Sequence, residues 1–192
     1  MTEMTNKPVI WCDMDGVIAV YERNDYIGQN PGYRKPDGHY FLYRPVDTKM
    51  AKVLYELYKR GYELHILSNI NSDLPETIRS EMILDKKLWL NHNFPYIDKH
   101  ESRHFITTDK ASYITSHRCK NPGKTDVLIS DFNRDLIPWI KYGKTGFKYG
   151  NGINDVTSCS GAIPLRAEMT ADEIITAIIN QAEKKEVNRY EI

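Results

Sequence analysis

Short apolar runs that stop at polar residues alternate with segments of helical periodicity along this chain. Three runs are clear, at residues 8–12, 62–67 and 126–129. Runs of this length, rich in branched side chains, are typical of strands buried in a parallel sheet. The polar residues that follow these runs are Asp13, Asp15, Ser68, Asn69, Ser130 and Asp131.

Helical periodicity fills the intervals between the runs. Residues 46–57 carry apolar side chains at helical spacing, and Gly61 follows as a C-terminal cap would. Residues 72–93 predict a second helix, with Leu88 among its core positions. Short strands are predicted at residues 104–107 and 146–149. A short helix is predicted at residues 136–140, after the apolar run at 126–129 and before the strand at 146–149. A capping box, Thr170–Glu173, opens a last helix.

Strands that alternate with helices predict an α/β fold. We expect a Rossmann-like parallel sheet with helices on both faces, in a single domain over residues 1–192. Residues 18–45 show no helical period, and glycine, proline and tyrosine are frequent there. This segment predicts a flap or minimal cap after the first strand, since a linker would be less aromatic.

Composition narrows the class of protein. Lysine plus arginine and aspartate plus glutamate both number 26, so the formal net charge is zero and no polyanion-binding surface is predicted. No apolar window is long enough to span a membrane, and the N-terminal residues do not resemble a secretory signal. Three widely spaced cysteines form no disulfide framework. We therefore expect a cytoplasmic protein with no membrane partner.

The polar strand ends are where chemistry is expected. Ligands of an open α/β sheet bind beyond the carboxyl ends of its strands, so Asp13, Asp15, Ser68 and Asp131 are expected to share one rim. Carboxylates so close repel one another, and a cation relieves the repulsion. Oxygen ligands select a hard ion, which predicts Mg²⁺, and a phosphate bound beside it also calls for a lysine.

These residues resemble the motifs of the haloacid dehalogenase superfamily of hydrolases. The strand that ends in Asp13-Met14-Asp15-Gly16-Val17 resembles the first motif, the strand that ends at Ser68 the second, and Val127–Asp131 the fourth. The resemblance covers roughly residues 8–150. More narrowly, Lys87–Leu90 before Phe94-Pro95, together with Thr107–Lys110, resembles the 5′(3′)-deoxyribonucleotidase branch and phage-type members.

The resemblance implies a role for each residue. Asp13 would attack phosphorus and form an aspartyl-phosphate, and Asp15 would act as general acid and base. Ser68 and Asn69 would bind the substrate, and Lys110 would offset the charge of the phosphoryl group. The Asp13 side chain, the Asp15 carbonyl and Asp131 would hold Mg²⁺. The implied activity is a phosphomonoesterase, with (deoxy)nucleoside monophosphates as first substrates and a sugar phosphate or nucleic-acid terminal phosphate as the alternative.

The sequence departs from the family pattern at several points. Ser130 stands where many members of the branch have an acid, which makes Asp135 a candidate auxiliary acid. The stretch from Lys110 to Asp131 is long, so Lys124 is a rival for the lysine role. Lys124 follows Asn121-Pro122-Gly123, a turn sequence, and Lys110 is therefore preferred. The segment before Pro45 is short beside a nucleotidase cap, which weakens the expectation of nucleotide specificity.

Two other classes of protein compete with a phosphatase. Residues 100–104 match HExxH, but this zinc-protease motif needs a helix, and residues 104–107 predict a strand. Tyrosines within residues 21–43 could stack on bases, which would suit a non-catalytic nucleic-acid-binding module. Few cations lie among them, so we prefer the enzyme, with nucleic acid expected only as a phosphate-bearing substrate.

Overall fold

A six-stranded parallel sheet forms the centre of the molecule. The computed structural model describes residues 9–21, 39, 41–97, 101–117 and 126–187. The strands are β1 Val9–Cys12, β2 Glu63–Asn69, β3 Arg103–Ile106, β4 Val127–Ser130, β5 Thr145–Tyr149 and β6 Ile163–Leu165. Their order across the sheet is β3-β2-β1-β4-β5-β6, and every neighbouring pair is parallel. The predicted α/β class is confirmed.

Helices cover both faces of this sheet. They are α1 Thr48–Lys59, α2 Glu76–Asn93, α3 Lys110–His117, α4 Asn133–Lys141 and α5 Ala171–Val187. Successive strand residues point to opposite faces, so β1 divides between two cores. Ile10 and Cys12 pack with α1 and α5 residues on one face, whereas Val9 and Trp11 pack with α3 and α4 residues on the other. The central strand is thus buried on both sides.

Helix α1 forms where the periodicity predicts it. Asp47 is its N-cap, and its Oδ1 accepts a hydrogen bond from the Met50 amide at 2.9 Å. The Asp47 Oδ2 accepts a second bond, from the Tyr149 hydroxyl at 2.6 Å, which links the start of α1 to β5. The helix ends before Gly61, whose φ of 78° is the left-handed conformation that glycine adopts easily. The capping box before α5 also forms, with the Thr170 and Glu173 side chains accepting reciprocally.

The structure corrects several predicted elements. Helix α2 begins at Glu76, after Pro75, rather than at residue 72. The predicted core residue Leu88 is 44% exposed, and the neighbouring Trp89 takes the buried position. Helix α3 and strand β6 were not predicted. Helix α3 occupies part of the long stretch between Lys110 and Asp131, and β6 is a three-residue edge strand that contains Pro164.

Part of the sequence analysis concerns residues outside the described ranges. Most of the predicted flap over 18–45 falls there, as do His100 of the HExxH match and Lys124. The other histidine of that match, His104, lies in strand β3, where a helical zinc motif cannot form. In the part of the chain that is described, no helix is both long and apolar enough to cross a membrane.

The double role of Asp47 leads to a stability prediction. Replacing Asp47 with alanine removes the N-cap and the link to Tyr149, so we expect the free energy of unfolding to fall by about 1–2 kcal/mol. Asp47→Asn is the matched control, because asparagine is an equally good N-cap residue and should give a smaller loss. Urea unfolding measures both variants. Equal losses would show that the cap bond contributes nothing.

Candidate active site

The predicted site residues meet at one rim of the sheet. Strands β1, β2 and β4 are adjacent and parallel, so their carboxyl ends open onto the same side. The structure brings Asp13, Asp15, Ser68, Asn69, Lys110, Asp131 and Asp135 to this rim, where all but Ser68 and Lys110 line one cavity. Its volume is about 690 Å³. The three predicted motifs therefore converge, although they lie far apart in the sequence.

Asp13 is buried at the base of this cavity. Its Oδ1 accepts a hydrogen bond from the Met14 amide at 2.8 Å, and its Oδ2 accepts one from the Ser130 hydroxyl at 3.1 Å. The same Oδ2 is ion-paired with the Lys110 ammonium group. Burial and the nearby carboxylates of Asp135 and Asp131 together raise the pKa of Asp13 to about 7, against the opposing effect of Lys110.

Lys110, the first residue of α3, is completely buried between two carboxylates. Its Nζ contacts Asp13 and lies 2.9 Å from the Oδ2 of Asp135. Burial alone would lower the pKa of Lys110, but the charges of Asp13 and Asp135 more than offset burial and hold it above its usual range. The lysine is therefore charged at neutral pH. Asp135, which follows Asp131 by four residues, belongs to the same charge network.

Asp15 lies beside a second buried lysine that the sequence analysis missed. Lys86 of α2 is fully buried, and its Nζ contacts the Asp15 Oδ2 and the Ser68 Oγ, the latter at 2.8 Å. The Oδ1 of Asp15 is buried and has no hydrogen-bond partner within the described part of the chain. Lys86 falls four residues after Met82 and four before Leu90, both buried, so a lysine within an apolar helical stripe was the available signal.

Asn69 ties the end of β2 to the loop that precedes Lys110. Its Nδ2 donates to the Thr108 carbonyl at 3.1 Å, which engages one of its two N–H groups. Its Oδ1 is buried and unbonded among the described residues. Because a primary amide has two N–H groups, the second N–H of Nδ2 is still available to donate to a substrate oxygen.

Asp131 is buried at the end of β4 and accepts hydrogen bonds from a distant loop. The Nδ2 atoms of Asn151 and Asn154 lie 2.7 and 2.8 Å from its Oδ2. Burial raises the pKa of Asp131, while Lys110 and the Asn151 amide act in the opposite direction. The buried Lys148 contacts the Asp131 main-chain carbonyl. Neither asparagine was anticipated from the sequence.

One wall of the cavity is apolar. It is formed by Tyr21, Phe41, Ile70, Leu74 and Met82. The Phe41 ring also lies 4.3 Å from the Lys86 Nζ, so it covers the lysine on the side of this wall. Phe132 and Arg134 line the cavity as well. The site thus combines a charged base with an aromatic wall suited to a flat or apolar group.

The donor chemistry of the base fits a hard cation. After burial, the negative charges of Asp135 and Asp131 raise the pKa of Asp13, and a cation bound between Asp13 and Asp131 would relieve this repulsion. No group of three His, Cys, Asp or Glu side chains suited to a metal occurs among the described residues. The predicted donor set does not need one, because it consists of two carboxylates and the Asp15 carbonyl. All three donors are oxygens, as Mg²⁺ prefers.

The fold is shared with known phosphatase structures. A D,D-heptose 1,7-bisphosphate phosphatase from Burkholderia thailandensis matches with a TM-score of 0.57 and 13% identity, over 90% of this chain and 99% of that one. The corresponding phosphatase from B. bronchiseptica, solved with magnesium and phosphate, matches with a TM-score of 0.59 and 11% identity, over 91% of this chain and 99% of that one. A haloacid dehalogenase-like hydrolase from Streptococcus pneumoniae matches with a TM-score of 0.55 and 14% identity, over 91% of this chain and 100% of that one.

These likenesses show that the chain has the fold of haloacid dehalogenase-type hydrolases. No protein-family model matches the sequence. A comparison with curated proteins also gives no match. At identities of 11–14% the likeness concerns the fold, so the chemistry must be argued from this chain's own residues.

The raised pKa of Asp13 predicts how stability changes with pH. Its usual value is 3.8, so between about pH 4 and pH 7 the folded protein binds a proton that the unfolded chain releases. In metal-free buffer this group therefore destabilises the fold as the pH rises. We expect Asp13→Asn to melt at a higher temperature than wild type at pH 8, with the difference vanishing near pH 4.

Thermal unfolding monitored by circular dichroism across this pH range tests the prediction. The difference between the two proteins reports Asp13 together with its effect on Lys110, because the groups outside this cluster are common to both. A melting temperature of the variant that falls below that of wild type as the pH rises would contradict it. It would mean that the pairing with Lys110 outweighs burial and the neighbouring carboxylates.

Proposed function

We propose that the chain is a magnesium-dependent phosphomonoesterase that acts through an aspartyl-phosphate on Asp13. One observation carries the proposal. The Asp13 carboxylate, held between the Lys110 ammonium and the Ser130 hydroxyl, shares a cavity with Asp15, whose Oδ1 is unbonded among the described residues. A fixed nucleophile with a proton-transfer group two residues away is what a two-step phosphoryl transfer requires.

In the first step, a carboxylate oxygen of Asp13 attacks phosphorus and the ester P–O bond breaks. The leaving oxygen takes its proton from the Asp15 carboxyl group, so the products are an aspartyl-phosphate, the released alcohol and ionised Asp15. Lys86 holds the other oxygen of Asp15, and this contact leaves Oδ1 as the oxygen that exchanges the proton.

In the second step, a water molecule attacks the phosphorus of the aspartyl-phosphate. Asp15 accepts the water proton, the bond between phosphorus and the Asp13 oxygen breaks, and inorganic phosphate leaves. Both carboxyl groups are then restored to their starting states. Asp15 therefore acts as acid and then as base at the same position.

The remaining residues would bind the phosphate oxygens or offset their negative charge. The Ser68 hydroxyl donates to the Asp15 Oδ2 at 3.3 Å and would turn this hydrogen bond to a phosphate oxygen when substrate binds, while Lys110 would offset the charge on Asp13 and the phosphoryl group. Asp13, Asp131 and the Asp15 carbonyl would hold Mg²⁺, which when bound neutralises phosphate charge and makes phosphorus more electrophilic. Ser130 stands at the position where many members of the resembled branch have an acid. The carboxylate that pairs with Lys110 beside Asp13 comes from Asp135, to which the Ser130 hydroxyl also donates.

The apolar wall supports a nucleoside monophosphate as the substrate. Tyr21 and Phe41 lie on this wall, beside the charged base of the cavity, and an aromatic wall can bind the flat face of a base. A sugar phosphate offers hydroxyl groups and no comparable apolar face. A (deoxy)nucleoside monophosphate therefore suits the described lining better.

Removing either carboxylate of the first motif tests the mechanism. We expect Asp13→Asn to abolish Mg²⁺-dependent release of phosphate from 4-nitrophenyl phosphate and any covalent labelling by radioactive substrate. Asp15→Asn should lower kcat by about 100- to 10,000-fold, the usual contribution of a general acid and base. A colorimetric phosphate assay and acid-quenched labelling measure these effects.

Asp73→Asn is the matched control, because Asp73 lines the same cavity but is exposed, and among the described residues its carboxylate accepts a hydrogen bond from the adjacent Ser72 hydroxyl and from no other group. Its activity should stay near that of wild type. Full activity in Asp13→Asn, or undiminished activity after Mg²⁺ is chelated, would overturn the proposed mechanism.

Tyr21 provides a test of substrate class. We expect Tyr21→Ala to raise KM for deoxynucleoside monophosphates about tenfold, because a stacked base contributes on the order of 1–3 kcal/mol. KM for 4-nitrophenyl phosphate should change little, and Tyr21→Phe, which keeps the ring, should resemble wild type. Steady-state kinetics on both substrates measure the difference.

A substrate screen decides between the nucleotide and its alternatives. It compares nucleoside monophosphates, sugar phosphates and phosphorylated oligonucleotides, each with and without Mg²⁺. Preferred turnover of a sugar bisphosphate, the kind of compound named for two of the similar structures, would overturn the nucleotide assignment and leave the phosphatase mechanism standing. Salt-sensitive oligonucleotide binding without turnover would instead favour a binding module.

A further inference from the structure

The Oδ2 atom of Asp131 is fixed by two asparagines that follow it by 20 and 23 residues. Asn151 and Asn154 both lie in the loop between β5 and β6, and each places its Nδ2 within 2.8 Å of this one oxygen. Within the described part of the chain, neither side-chain amide donates to the opposite oxygen, Oδ1. Asp131 itself is 3% exposed and lines the cavity.

The Asn151 side chain is oriented by the backbone around it. Its Oδ1 accepts hydrogen bonds from the main-chain amides of Ile153 and Asn154, at 3.0 and 3.2 Å. An amide oxygen that is committed to two N–H donors turns the amide nitrogen the opposite way, so the identity of the atom facing Asp131 is determined. The same Nδ2 also donates to the Gly16 carbonyl at 3.1 Å, which joins this loop to the first motif.

Gly16 leaves the space that this arrangement needs. A Cβ atom at position 16 would lie 2.4 Å from the Asp131 Oδ2 and 3.0 Å from the Asn151 Nδ2. The φ of Gly16 is 77°, a conformation that side-chain-bearing residues rarely adopt. On the opposite side, Lys148 contacts the main-chain carbonyl of Asp131. Backbone and side chain of Asp131 are therefore both held.

Two neutral donors on one carboxylate oxygen have a specific consequence. They use the acceptor positions of Oδ2, which leaves Oδ1 as the oxygen offered to another ligand. Since amides carry no charge, the carboxylate keeps its full negative charge, whereas a lysine or arginine at the same place would neutralise it. Mg²⁺ needs near-ideal octahedral geometry, so a ligand that is fixed in advance binds it more tightly.

We propose that Asn151 and Asn154 are positioning residues for the metal, which hold Asp131 so that its Oδ1 faces the cation. The inference rests on the proposed function, because it takes Asp131 as a ligand of Mg²⁺. It goes beyond that function by assigning a part of the metal affinity to the loop between β5 and β6, which lies outside the three predicted motifs. Neither asparagine touches the reacting atoms.

Asn154→Ala is the sharpest test, because among the described residues the Asn154 side chain forms its hydrogen bond with Asp131 and with no other group. We expect the dissociation constant of Mg²⁺, measured by titration calorimetry on the full chain without substrate, to rise about 10- to 100-fold. Turnover of 4-nitrophenyl phosphate should need correspondingly more Mg²⁺, while kcat at saturating Mg²⁺ stays near that of wild type. Asn151→Ala should raise the same constant.

Thr157→Ala is the matched control in the same loop. The Thr157 hydroxyl donates to Asp155 and does not reach Asp131, so this variant should bind Mg²⁺ as wild type does. An unchanged dissociation constant in Asn154→Ala, with a wild-type chain that binds Mg²⁺, would overturn this inference alone. A wild-type chain that binds no Mg²⁺ and needs none for turnover would overturn the proposed function as well.

Discussion

The repulsion among buried carboxylates is the constraint on which the rest of the site depends. Asp13, Asp131 and Asp135 meet because β1 and β4 are adjacent and parallel, and burial leaves them little water to screen one another. Lys110 is placed between Asp13 and Asp135 and offsets part of this repulsion. The hydroxyl of Ser130 bonds to the same two carboxylates without adding a charge. The sheet topology thus creates an electrostatic strain that local groups only partly relieve.

Much of this arrangement follows from the sequence because a parallel sheet has a simple rule. Every strand in it points the same way, so the residue after each apolar run lies at the same rim. This is why Asp13, Ser68 and Asp131 could be placed together from their positions alone. Lys110 followed from the resemblance to a family motif, and its contact with Asp13 depends on helix α3, which was not predicted. Lys110 was therefore chosen without the helix that places it beside Asp13.

The residues that were missed depend on distances that no local pattern encodes. Lys86 contacts Asp15 and Ser68 because α2 packs where the carboxyl end of β2 lies within reach of this side chain. Helical periodicity predicts which face of a helix is buried, but it does not predict where along its length the helix crosses a strand. Asn151 and Asn154 come from an irregular loop with no period at all. Strand β6 is three residues long and contains Pro164, so the β-propensity of its residues does not predict it. It is a strand because it pairs with β5 at the edge of the sheet.

The charges around the cavity argue for a cation as part of substrate binding itself. Six carboxylates and two cationic side chains line it in the described part of the chain: Asp13, Asp15, Asp73, Asp109, Asp131 and Asp135 against Lys86 and Arg134. Lys110 and Lys148 lie behind the lining, and each is already engaged with the carboxylate cluster or its backbone. A phosphate dianion entering this surface would be repelled more than attracted. In the proposed phosphomonoesterase, a divalent cation held by these carboxylates would reverse that balance and allow phosphate to bind together with the metal.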